Sequence, residues 1–123
     1  MQAVYILSAV RTPIGKFGGS LASQSAADMG VVAAKAAIER AGVRPEQIEE
    51  TIFGNARQAG GGPNPARQIS VRSGVPQEVP AFTVNKACAS GMVAEDSSSS
   101  APVACDSNNL ANLPDDERDN TRS

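Results

Sequence analysis

The sequence of 123 residues contains no histidine. A catalytic site in which a histidine activates a serine or cysteine therefore cannot be completed within these residues, and neither can a zinc site that needs imidazole. Two cysteines are too few for a disulfide scaffold. Aromatic residues make up only 3% of the chain, so a hydrophobic core has to rest on valine, isoleucine, leucine and alanine.

Long apolar runs and an excess of positive charge are also absent. No apolar run approaches the roughly 20 residues of a transmembrane helix. Residues 1–10 have no basic flank before their apolar stretch, unlike a signal peptide. The formal net charge of −2 excludes a globally basic nucleic-acid binder. We therefore expect one domain of modest size.

Charge and composition divide the chain into two unlike parts. Residues 1–94 carry nine Lys and Arg and six Asp and Glu, whereas residues 95–123 carry two and seven, so the net charges are +3 and −5. The second part is rich in Ser, Asp and Asn, a composition that cannot offset the entropy cost of ordering a chain. We predict a domain at residues 1–94 and an acidic tail at residues 95–123 that is disordered or of uncertain sequence. A short helix near residues 108–113 is the alternative for the tail.

Strand and helix signals alternate in the first part. Short apolar segments predict β-strands at residues 3–9, 50–53 and 81–84. Between the first two, the capping-box spacing of Ser25 and Asp28 begins an alanine-rich helix that ends near residue 42. Helical spacing places three of its apolar residues on one face: Met29, Val32 and Ala36. A second predicted helix follows the N-cap residue Asn64, and the order β-α-β-α-β is typical of an α/β fold with a mostly parallel sheet.

Cys88 is the residue best suited to take part in catalysis. It lies in the segment NKACASGM at residues 85–92, just after the third predicted strand. Its small neighbours allow a tight strand-to-helix turn, as in a nucleophile elbow. At the start of a helix the dipole favours the thiolate, and nearby N–H groups can stabilise an oxyanion. A buried structural cysteine is the other interpretation of the same residues.

Three motifs occur in order along the first part of the chain. They are AVRTPIGKFGG at residues 9–19, the pairs GN and AG followed by NPARQ at residues 54–68, and NKACASGM at residues 85–92. Together they resemble the amino-terminal part of the thiolase family, which comprises acetyl-CoA acetyltransferases and 3-ketoacyl-CoA thiolases. The resemblance covers about residues 2–92. It implies a thiolase-like β-α-β-α-β amino-terminal half-domain that is incomplete.

The resemblance implies an acyltransferase that acts on acyl-CoA or 3-ketoacyl-CoA by Claisen condensation or thiolysis. Cys88 would carry the acyl group as a thioester, and its backbone N–H would be an oxyanion donor. In the family, a histidine, a second cysteine and an asparagine-bearing loop complete the site from a carboxy-terminal half. No metal and no bound cofactor are expected, because the coenzyme A thioester is the substrate. The implied assembly is a homodimer or homotetramer, with neither nucleic acid nor membrane as a partner.

The sequence departs from the family pattern at several points. Val93 stands where a basic residue is usual, and Pro63 stands where a glutamine is usual. Residues 95–123 do not resemble the family, and we expect the carboxy-terminal half to be missing from this chain. Cys105 lies in this tail and is not expected to be the second catalytic cysteine, because its neighbours lack the family pattern.

Two alternatives to an active thiolase remain. The chain can be a truncated, catalytically incomplete fragment that acts only as an associating half-domain. A ketoacyl synthase-like condensing enzyme is the second alternative, since it shares the fold and a cysteine nucleophile. The Arg-Thr-Pro segment at residues 11–13 and the NPARQ motif favour a thiolase. No targeting signal singles out a compartment, so the cytoplasm is the default location.

Overall fold

The fold was analysed in a computed structural model, which describes residues 5–97. In chain order the elements are helix α1 (Ala26–Ala41), a 3₁₀ turn (Pro45–Gln47), strand β1 (Thr51–Gly54), helix α2 (Pro65–Arg72), strand β2 (Ala81–Val84) and helix α3 (Ser90–Ser97). The two strands are parallel neighbours, with Thr51 opposite Ala81. The α/β class with a small parallel sheet is therefore confirmed. Within residues 5–97 no helix combines the length and apolar character needed to cross a membrane.

The first predicted strand is wrong for the residues that the structure describes. Residues 5–9 have no regular secondary structure, and residues 3 and 4 lie outside the described part. The hydroxyl of Ser8 donates to the carbonyl of Ala37 at 2.8 Å, so this segment runs against α1. Its apolar side chains Tyr5, Ile6 and Leu7 are exposed. An apolar strand pattern records a local preference, whereas a strand also needs a neighbouring edge with which to pair.

The predicted start and end of α1 are confirmed. The amide of Asp28 donates to the Ser25 hydroxyl at 3.1 Å, and the amide of Ser25 donates to the Asp28 carboxylate at 2.9 Å. Gly42 ends the helix in the left-handed conformation, with φ = 66°. Asp28 also forms an ion pair with Arg72 of α2 at 2.6 Å. The hydrogen bonds from Arg72 and Ser25 hold the pKa of the Asp28 carboxyl well below its usual range.

The apolar face that helical spacing marks on α1 is not the face that packs inward. Val32 is 64% exposed, and the neighbouring face carries the buried side chains. These form a cluster with Ile69 of α2, against which Phe53 of β1 packs: Ala27, Val31 and Ala34. Alanine occurs on several sides of α1, so helical spacing alone does not select one face. The packing therefore holds α1 and α2 together against the sheet.

Candidate active site

Cys88 lies at the carboxyl edge of the parallel sheet, between the end of β2 and the start of α3. Its thiol is free and exposed, so Cys88 is not a buried structural cysteine. The preceding residue, Ala87, has φ = 48°, a left-handed conformation that costs a non-glycine residue roughly 1–3 kcal/mol. The chain thus makes a sharp, strained turn immediately before the thiol, and the surrounding structure has to hold that turn in place.

The hydroxyl of Ser90 fixes this turn from the helix side. It accepts a hydrogen bond from the amide of Lys86 at 2.9 Å and donates one to the carbonyl of Ala87 at 2.7 Å. Ser90 is 4% exposed, so its hydroxyl is largely shielded from water. The amide of Ser90 adds a second bond to the Ala87 carbonyl at 3.2 Å. One buried side chain therefore closes the turn that presents Cys88.

Asn85 fixes the same turn from the strand side. Its side-chain oxygen accepts a hydrogen bond from the amide of Ala87 at 3.1 Å. Its side-chain amide donates to the carbonyl of Ala56 at 3.2 Å, in the loop that follows β1. The amide of Asn55 in that loop bonds to the carbonyl of Val84 at 3.0 Å. The loops that leave the two strands are therefore tied together beneath Cys88.

Gly54 provides the space in which α3 begins. A Cβ atom added to Gly54 would lie 2.5 Å from the carbonyl carbon and oxygen of Ser90 and 2.7 Å from the amide nitrogen of Gly91. Real Cβ atoms do not approach backbone atoms this closely, so only glycine fits at the end of β1. The sequence marks Gly54 as the end of a strand, but it carries no local signal for a contact with a segment so distant along the chain.

The backbone amides around Cys88 are almost all engaged. Those of Lys86 and Ala87 donate to side chains, and those of Ala89 and Ser90 donate to carbonyls within the turn. Among the hydrogen bonds of residues 5–97, none uses the amide of Cys88. This N–H group lies next to an exposed thiol and is available to a bound molecule. The geometry suits an acyl group attached at the sulfur, because its carbonyl oxygen needs a hydrogen-bond donor.

Comparison with known proteins places this site in a family. A family model described as the N-terminal domain of thiolase matches residues 4–105. The chain belongs to the thiolase family. The resemblance based on the three sequence motifs is thus confirmed, and the ketoacyl synthase alternative is set aside. The matched range extends past residue 94, and the division of the chain at that residue stays a prediction.

Thiolase relatives match the chain closely over most of its length. It is 55% identical over 94 residues to an acetyl-CoA acetyltransferase of Cupriavidus necator, covering 76% of this chain and 24% of that protein. It is 56% identical over 94 residues to the cytosolic acetyl-CoA acetyltransferase of Gibberella zeae, with the same two coverages. The chain therefore spans about a quarter of the length of these relatives.

A solved thiolase shares the fold. The crystal structure of the Acat5 thiolase of Ascaris suum, in complex with coenzyme A, has a TM-score of 0.75 and 50% sequence identity to this chain. The match covers 76% of this chain and 25% of that structure. The backbone described above is thus the amino-terminal part of a thiolase fold.

The NPARQ motif at residues 64–68 of this thiolase sequence stabilises the start of α2 and the loop before it. Asn64 caps α2 as predicted, with its side-chain oxygen accepting from the amide of Arg67 at 3.4 Å and from the hydroxyl of Thr83 at 2.8 Å. Its side-chain amide donates to the carbonyl of Ala81 at 2.9 Å. Asn64 itself has φ = 42°. The cap therefore also joins α2 to β2, the strand that leads to Cys88.

Arg67 and Gln68 bind backbone on either side of α2. The Arg67 guanidinium donates to the carbonyls of Gln77 and Val79 at 2.6 and 2.9 Å. The Gln68 side-chain amide donates to the carbonyls of Gly61 and Pro63 at 2.8 and 3.0 Å. The loop before α2, which has three consecutive glycines at residues 60–62, is thus held in place by hydrogen bonds from α2. These motif residues stabilise the structure that carries the site.

Some predictions fall outside the described residues. The disorder of the acidic tail, the alternative helix at residues 108–113 and the role of Cys105 all concern residues beyond Ser97. Within residues 5–97, no group of three His, Cys, Asp or Glu side chains is arranged to hold a metal ion.

Proposed function

We propose that Cys88 is the nucleophile of a thiolase-type acyltransferase and accepts an acyl group from a coenzyme A thioester. The observation that carries this proposal is the exposed thiol on a strained turn that Asn85 and Ser90 hold from both sides. Relatives are named acetyl-CoA acetyltransferases, and the Ascaris suum thiolase was solved with coenzyme A, which supports this substrate class.

The acylation step follows from the groups at the turn. The Cys88 thiol loses its proton to solvent, since the chain has no histidine to take it, and the sulfur attacks the carbonyl carbon of the thioester. A new carbon–sulfur bond forms, the bond to coenzyme A breaks, and the coenzyme leaves as a thiolate that takes up a proton. In the tetrahedral intermediate the Cys88 N–H donates to the oxyanion. The dipole of α3 adds to this stabilisation, since α3 begins two residues later.

Acyl transfer to Cys88 provides the direct test. After incubation of the 123-residue chain with radiolabelled acetyl-CoA, we expect the label in the Cys88 peptide and its complete loss in Cys88→Ala. Cys105→Ser is the matched control, because it removes the other thiol and is expected to retain the label. Label on Cys105 alone, or none on the wild-type chain, contradicts the proposal. Peptide mapping by mass spectrometry separates these outcomes.

Self-association is the second part of the proposal. The family resemblance implies a dimer or tetramer, and several large apolar side chains are exposed on the described residues: Tyr5, Ile6, Leu7, Ile14, Phe17 and Met92. A second copy of the chain is the partner that the resemblance favours for covering such exposed apolar side chains.

Sedimentation over a range of concentrations tests self-association. We expect a mass that rises with concentration above that of a monomer, because apolar contact area removes exposed side chains from water. The matched variant Phe17→Ser removes a fully exposed apolar side chain and is expected to weaken association without loss of fold. A single species of 12.6 kDa at every concentration contradicts this expectation.

A further inference from the structure

We propose that Ser90 is a positioning residue that aims the Cys88 N–H at the oxyanion. This inference rests on the proposed function and goes beyond it, because it assigns a role to a buried hydroxyl that does not touch substrate. Its basis is the pair of hydrogen bonds at 2.9 and 2.7 Å that joins Ser90 to Lys86 and Ala87, the two residues before the nucleophile.

The argument depends on the geometry of one peptide group. The carbonyl of Ala87 and the N–H of Cys88 belong to the same peptide unit, which is planar. A hydrogen bond that fixes the direction of the Ala87 carbonyl therefore fixes the direction of the Cys88 N–H as well. Ser90 bonds to that carbonyl twice, from its hydroxyl at 2.7 Å and from its amide at 3.2 Å. The donor beside the thiol is thus set by Ser90.

The same bonds also strengthen the donor. Hydrogen bonds accepted by a carbonyl polarise its peptide unit, and the N–H at the other end becomes a better donor. The bond from the Lys86 amide orients the Ser90 hydroxyl, so its proton points to Ala87. The backbone of Ser90 also lies directly against Gly54, so Ser90 cannot shift toward β1.

The strained conformation of Ala87 depends on the hydrogen bonds that hold the turn, and the Ser90 hydroxyl supplies two of them. At φ = 48° an alanine relaxes if nothing holds it, and its relaxation rotates the adjoining peptide unit. Without the hydroxyl, the Lys86 amide also loses its acceptor in the protein. A change at Ser90 therefore turns the Cys88 N–H away from the oxyanion, while the thiol stays exposed.

Two reactions of Cys88 separate positioning from general structure. Acyl transfer from acetyl-CoA passes through an oxyanion, whereas alkylation by iodoacetamide occurs at a saturated carbon and forms none. In Ser90→Ala we expect acyl transfer to slow by about 10-fold or more, since loss of one oxyanion donor costs roughly 10²–10³-fold. We expect the alkylation rate to stay within about 2-fold of wild type, because that reaction needs the Cys88 thiolate but no oxyanion donor.

Ser70→Ala is the matched control. Ser70 is also buried, and its hydroxyl accepts a hydrogen bond from Thr51 at 3.2 Å, away from the Cys88 turn. This variant is expected to lose stability without a change in the ratio of the two rates. If Ser90→Ala does not fold, Ser90→Thr and Ser90→Val replace it, because these two variants match in shape and differ in the hydroxyl. We then expect acyl transfer in the threonine variant alone.

Every outcome bears on the inference. Slower acyl transfer with unchanged alkylation supports positioning by Ser90. Equal loss of both rates, or no loss of either, overturns it. A wild-type chain that reacts with iodoacetamide but never accepts an acyl group instead overturns the proposed function, so the two failures are distinguishable.

Discussion

The 123-residue chain is expected to catalyse no thiolysis of acetoacetyl-CoA, even where Cys88 accepts an acyl group. Cleavage of the carbon–carbon bond releases a carbanion, which must be protonated, and the nucleophile needs a base. The family resemblance assigns these tasks to a histidine and a second cysteine in a carboxy-terminal half. The 123-residue chain contains no histidine. Under the proposed function it provides only a nucleophile and an oxyanion donor, which are enough for acyl exchange but not for thiolysis.

The decrease in absorbance of acetoacetyl-CoA in the presence of coenzyme A measures this reaction. Its control is the acyl-transfer assay on the same preparation, which shows that Cys88 is folded and reactive. Thiolysis by the wild-type chain that disappears in Cys88→Ala contradicts the prediction. Such a result means that the proton-transfer groups can be replaced by residues within this chain.

Gly54→Ala is expected to lower the free energy of unfolding by about 1–3 kcal/mol, the usual cost of overpacking. The added methyl group would meet the carbonyl of Ser90 and the amide of Gly91, which are backbone atoms and cannot rotate away. The start of α3 has to move, and the turn that presents Cys88 moves with it. We therefore expect acyl transfer to fall along with stability. Urea unfolding followed by circular dichroism gives the stability change.

Gly15→Ala is the matched control for this substitution. A Cβ at Gly15 would approach only side-chain atoms of Leu21, the nearest at 3.1 Å, and this exposed loop can adjust. Its unfolding free energy is expected to change by less than about 0.5 kcal/mol, as for most surface substitutions. Equal effects of the two substitutions would contradict the claim that Gly54 is needed for close approach.

The parts of the fold that could be predicted depend on local chemistry. The capping box of Ser25 and Asp28 and the N-cap Asn64 work within one helical turn, so their sequence patterns are sufficient. Strand β2 at residues 81–84 matches its predicted bounds, and the strand predicted at residues 50–53 begins and ends one residue later. These segments are short and apolar, and turn residues mark their ends.

The parts that could not be predicted depend on contacts between distant residues. The apolar segment at residues 5–9 has the composition of a strand but no strand partner in the described structure. Helix α1 buries Val31 and exposes Val32, because Val31 lies on the side that packs against Ile69 of α2. At the site, the sequence correctly predicted that Cys88 follows a strand. The close contact between Gly54 and Ser90 could not be predicted, because no local sequence pattern indicates it.

The contact between Gly54 and Ser90 has a consequence for how the protein is made. Residues are added to a growing chain in order, so β1 is synthesised before Ser90. During that interval the end of β1 lacks the backbone that later fills the space beside Gly54. Cys88 likewise emerges before the hydroxyl that closes its turn. The complete turn around Cys88 thus forms only when this segment is finished, and acyl transfer is expected to appear only after α3 has joined the sheet.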